Sequence, residues 1–108
     1  MIAVFLLLQA AAPADAGGDV WTRCVQMVAE DYAKLMEPMP DVADAAVAAC
    51  APLEFDVERN LTERLRQSGL DPLAAMNRAG QEMPNLRRKQ RERALATVAL
   101  KRRATLPK

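Results

Sequence analysis

Hydrophobic residues along this chain recur at steps of three and four rather than two, which predicts helices and no strands. Between Val20 and Glu37 the apolar positions are Trp21, Cys24, Val25, Val28, Tyr32, Leu35 and Met36, while Arg23, Gln26, Glu30 and Lys34 fall on the other side. That is one amphipathic helix, with Glu30 and Lys34 placed for an i,i+4 ion pair. It stops at Glu37-Pro38-Met39-Pro40, because a proline disfavours helical geometry in the residue before it. Asp41 then stands as the N-cap of a second helix, whose stripe is Val42, Ala46, Cys50, Leu53, Val57, Leu61 and Leu65. Pro52 falls inside that stripe. The apolar phase continues across it, so the pattern predicts one helix bent at the proline rather than two. Ser68-Gly69 ends this helix, with glycine available for a left-handed cap.

Asp71-Pro72 opens a further helix, an N-cap acid followed by proline in the first turn. It is short, carries Leu73, Met76 and Met83, and is broken at Met83-Pro84-Asn85. From Leu86 the chain is basic and built of helix-favouring residues without glycine. On a helical wheel Arg88, Arg91 and Arg102 share a side with Leu95, Val98 and Leu106. Charge is thus segregated along this segment and not around it, which argues against a helix lying on a membrane.

The N-terminal segment changes how the rest is read. Met1 to Leu8 is an apolar run after the initiator, followed by small residues from Ala10 to Ala16. This is the pattern of a secretory signal peptide over residues 1–16, with Ala14-Asp15-Ala16 placing the cut before Gly17; no Lys or Arg precedes the run. A bilayer span needs about 20 apolar residues, so no transmembrane span is expected in residues 17–108, and the chain is expected in the periplasm or secreted. In that setting Cys24 and Cys50, the only cysteines, read as one structural disulfide. They lie roughly 18 and 14 Å from the turn at 1.5 Å per residue, level with each other in an antiparallel hairpin, and both sit on the apolar stripes.

Composition removes most chemistry. There is no histidine, which excludes Ser-His-Asp and Cys-His nucleophiles, histidine metal sites and imidazole acid/base catalysis. Glu54 and Glu58 share a helix face, but opposite Leu53, Val57 and Leu61 they read as a solvated face. Asn60-Leu61-Thr62 matches a glycosylation acceptor, within a helix interior. No catalytic residue, metal site or cofactor is expected, and the chain reads as a non-enzymatic binding or accessory module.

The formal net charge of +1 is a cancellation. Residues 17–83 hold 12 acids and 6 bases, whereas residues 84–108 hold 9 bases and one acid. Such polarity points either to internal neutralisation or to an anionic partner, for which the candidate contacts are Arg87, Arg88, Lys89, Arg91, Arg93, Lys101, Arg102 and Arg103. Nothing after Phe55 is aromatic, so bases of a single strand would lack a stacking platform, and export would keep nucleic acid out of reach. Two other readings stand beside this one. An intracellular nucleic-acid-associated factor follows if the N-terminus is misread, and a small inhibitor or stress protein could act on an exported partner through the hairpin.

The expected architecture is therefore all-α: residues 1–16 a cleaved signal peptide, 17–70 a disulfide-linked antiparallel helical hairpin, and 71–108 a short helix followed by a basic C-terminal helix or tail. The apolar content left to residues 17–108 is rich in alanine, so the core is expected to be thin and the disulfide correspondingly important.

Overall fold

A computed structural model describes residues 18–105; the expected signal peptide, residues 1–16, lies outside them. The fold is all-α. Among the described residues there are four α-helices and one 3-10 turn. Helix α1 covers residues 18–32, α2 is Met39–Ala49, the 3-10 turn is Ala51–Leu53, α3 is Glu54–Gln67 and α4 is Pro72–Thr105.

Helix α1 ends six residues before Pro38. The Ala33 amide still donates to the Ala29 carbonyl, but Lys34 and Leu35 donate to Asp31 and Tyr32, only three residues back, the tightening that closes many helices. Leu35 and Met36 consequently leave the apolar stripe, and Met36 is 99% exposed. Lys34 pairs with Asp31 at 3.8 Å, not with Glu30. The prolines start α2 rather than merely stopping α1: Pro38 takes the N-cap position and Pro40 the first turn, where an amide would have no helical partner to lose. Asp41 is therefore inside the first turn, where its charge favours the helix dipole, and it makes no capping bond.

The single bent helix expected over the second stripe is two helices. Helix α2 stops at Ala49, Cys50 leaves helical geometry (φ −100°, ψ 8°), and Pro52 falls in the first turn of the 3-10 segment before α3 begins. The apolar side is kept across the break, with Cys50 and Val57 buried and Leu53 and Leu61 half-buried. Helix α3 ends as its sequence indicates. Gly69 has φ 116°, and the Leu70 and Gly69 amides donate to the Leu65 and Arg66 carbonyls, a Schellman cap.

Asp71 accepts from the Ala74 amide at 3.0 Å and so caps α4, but the expected break at Pro84 does not occur. Helix α4 runs through it for 34 residues, about 51 Å at 1.5 Å per residue. Pro84 is exposed while its neighbour Met83 is buried. Helices bend convex toward solvent, lengthening the hydrogen bonds on that side, so a proline there removes a bond that curvature already weakens. Packing supplies the rest, since α4 lies against both α2 and α3.

Among the described residues, half of the fourteen buried apolar ones are alanines. Trp21, Val25 and Ala29 of α1 and Ala33 just after it meet Val42, Ala43 and Ala46 of α2, Val57 of α3, and Met83, Ala94 and Val98 of α4 in one cluster. Small side chains let helix axes approach to the short end of the usual range, about 8 Å, so a thin core can still be dense.

Candidate functional site

The cysteines form the expected disulfide. Cys24 and Cys50 are bonded, with their Cα atoms 6.0 Å apart. The turn at residues 33–38 joins α1 to α2 at one end and the disulfide clamps them at the other, so the two helices run antiparallel. Cys50 is buried in the core cluster, which makes the bond part of the packing and keeps one sulfur from solvent. Closing this loop stabilises the fold by about 3.5 kcal/mol in the chain-entropy model.

The eight basic candidates divide into two sets. Arg87 pairs with Glu54, whose side chain is largely covered, so Glu54 is an α3–α4 contact and not part of a solvated face. Arg91 donates to Asp44 of α2 at 2.6 Å. Arg93 donates to the Thr22 hydroxyl at 2.9 Å. Arg102 reaches the carbonyls of Ala33, Leu35 and Glu37 at 3.1, 2.7 and 2.6 Å, where α1 ends with unpaired acceptors. Apart from Arg88, the mixed face of the wheel is thus a docking face: buried Ala94 and Val98 form its ridge, and the arginines beside the ridge neutralise polar groups on α1, α2 and α3. Arg88, Lys89, Lys101 and Arg103 are in the second set; among the described residues they have no ion pair or side-chain hydrogen bond. All four are exposed.

Concave surfaces flank α4, among them one of about 540 Å³ between α1 and Lys101 and two nearer its middle and start. One is an open cleft of about 550 Å³ between α1, α3 and the middle of α4, with Trp21 and Gln90 in its floor and Arg64, Lys89 and Arg93 at its edge. The other, about 410 Å³, lies between α3 and the start of α4 and is lined by Phe55, Pro72 and Met76 among alternating charges. Neither was legible in the sequence. Trp21 lies on the expected buried stripe, but the positions of Gln90 and Arg64 opposite it follow from how α4 and α3 pack.

Asn60-Leu61-Thr62 sits inside α3, and the Thr62 hydroxyl donates to the Glu58 carbonyl at 2.9 Å. No helix among the described residues is long and apolar enough to cross a membrane. Comparisons with protein-family models, with curated proteins and with solved structures find no match to this chain.

Proposed function

We propose that the chain is an exported, non-enzymatic helical module that engages an anionic or protein partner, and that residues 1–16 are its cleaved signal peptide. The observation that carries the binding role is the division of the basic set: Arg87, Arg91, Arg93 and Arg102 hold α4 in place, whereas Arg88, Lys89, Lys101 and Arg103 stay exposed and unengaged among the described residues. Exposed cations of one sign raise the local concentration of an anionic partner and its rate of encounter. The disulfide supports export, because such bonds persist in oxidising compartments and are rare in the cytosol.

Retention on heparin tests the binding role. The variant Arg88→Gln/Lys89→Gln/Lys101→Gln/Arg103→Gln should elute at clearly lower salt than wild type with its helical content unchanged, and equal elution would refute electrostatic engagement. Intact mass from cells tests export: loss of residues 1–16 and of two hydrogens supports it, and a full-length reduced chain overturns it.

A further inference from the structure

We propose that the cleft between α1, α3 and α4 binds an amphiphilic carboxylate, a single carboxylate head on an apolar body. Trp21 and Gln90 form the floor and are only 1% and 5% exposed. Each carries a buried polar atom without a hydrogen-bond partner: the Trp21 Nε1–H, a donor, and the Gln90 Oε1, an acceptor. Buried polar side-chain atoms are overwhelmingly paired in native proteins. Among the described residues these two are the unpaired ones, and both belong to the same cleft.

A carboxylate head would accept from the Trp21 N–H, whereas the Gln90 Oε1, itself an acceptor, would find a donor in Lys89 or water once the amide turns. Lys89 and Arg93 bring positive charge to the edge, and the one carboxylate there, Asp19, is paired with Arg23 at 2.6 Å. The cleft therefore favours an anion. Beside the polar Thr22 and Asn60, the lining has an apolar part in Leu61, Leu86 and the edge of Val57, and a bare inorganic anion would leave that part unused. An apolar body with one charged end uses both, the usual construction of a ligand site with few polar groups on an apolar surface.

The Gln90 amide is the part of the floor that can turn. Its Nε2 donates to the Thr22 hydroxyl at 2.9 Å, and the same hydroxyl accepts from Arg93 at 2.9 Å. When Gln90 turns toward the ligand, Thr22 keeps Arg93 as its donor and no hydroxyl is orphaned. Opening the floor exposes the indole N–H to the carboxylate head while Lys89 approaches from the edge.

Trp21 is the only tryptophan in the chain, so its fluorescence reports this site alone. Titration of the full chain with decanoate, kept below its micelle concentration, should change Trp21 emission saturably. Lys89, exposed and unengaged, is the position to vary: Lys89→Gln should weaken binding by about tenfold, the loss of one charge-assisted contact of about 1.4 kcal/mol, Lys89→Glu should weaken it further, and Lys89→Arg should retain it. A linear response without saturation, an affinity unchanged in Lys89→Glu, or an equal response to inorganic phosphate or to decanol would each overturn the proposal. It goes beyond the binding role above and stands apart from export. A chain found full-length and reduced in cells, yet binding decanoate, would sink only the export reading.

Discussion

Arg102→Gln tests whether the basic segment is a structural element of the fold. The substitution removes three guanidinium hydrogen bonds to the carbonyls of Ala33, Leu35 and Glu37. The first of these is partly buried, and orphaning a buried acceptor costs about 1–3 kcal/mol. The other two face solvent and rehydrate, so each contributes about 0.5 kcal/mol. The expected loss is about 2–4 kcal/mol, a drop in Tm of about 10–25 °C for a domain of this size. Thermal unfolding followed by circular dichroism, with the disulfide intact, measures it. Arg102→Lys keeps the charge but not the planar fork that spans three acceptors, so it should recover less than half of the loss. A Tm for Arg102→Gln within 2 °C or so of wild type (about 0.5 kcal/mol), or full recovery by lysine, would refute the reasoning.

Five further outcomes follow from the packing. Reduction of Cys24–Cys50 should lower stability by about 3.5 kcal/mol, read as a shift of the urea midpoint with and without reductant. Val98→Ala, in the ridge of α4 at a fully buried position, should cost about 1–3 kcal/mol in the same assay, whereas Met36→Gln should change stability by less than about 0.5 kcal/mol. Pro84→Ala should stabilise, because a helix-interior proline costs about 3 kcal/mol relative to alanine and an exposed position relieves only part of that; a lower Tm would refute this. Ala46→Leu should destabilise by about 1–3 kcal/mol through overpacking, since Ala46 lies in the core cluster with no exposed surface.

The faces of the helices were legible in the sequence and their ends were less so. Apolar periodicity placed Trp21, Val25, Val42, Ala46, Cys50 and Val57 on the inside, and geometry along two helices brought Cys24 level with Cys50. Proline was the recurring difficulty. Pro40 and Pro52 sit in first turns, where their missing N–H is harmless, yet in sequence they read as an end and a bend. Pro84 reads as a break and is overridden, because the buried residues on either side of it hold α4 to the rest of the core. The arginines of α4 were legible as charge but not as contacts. Their partners are Thr22, Asp44, Glu54 and the carbonyls after α1, and no local pattern links residues separated by 33 to 71 positions. The same finding makes substitution the sound way to test the exposed cations, since removing residues 84–108 would also remove Gln90, Ala94 and Val98 from the interior.

That long-range docking sets an order of assembly. Helices α1 to α3 leave the ribosome, or a translocation pore, before α4, and until α4 arrives the side of the hairpin that faces Ala94 and Val98 has no cover. The disulfide joins residues 26 positions apart and can close first, whereas Arg102 closes contacts spanning 65 to 69 positions and must come late. A chain cut off between residues 86 and 94 would therefore be a disulfide-linked hairpin with its apolar seam facing water, and not a shorter version of the same protein. Docking of α4 in this way makes the fold sensitive to its own completeness, and a protease that cut there would produce a species readily told apart from the intact molecule.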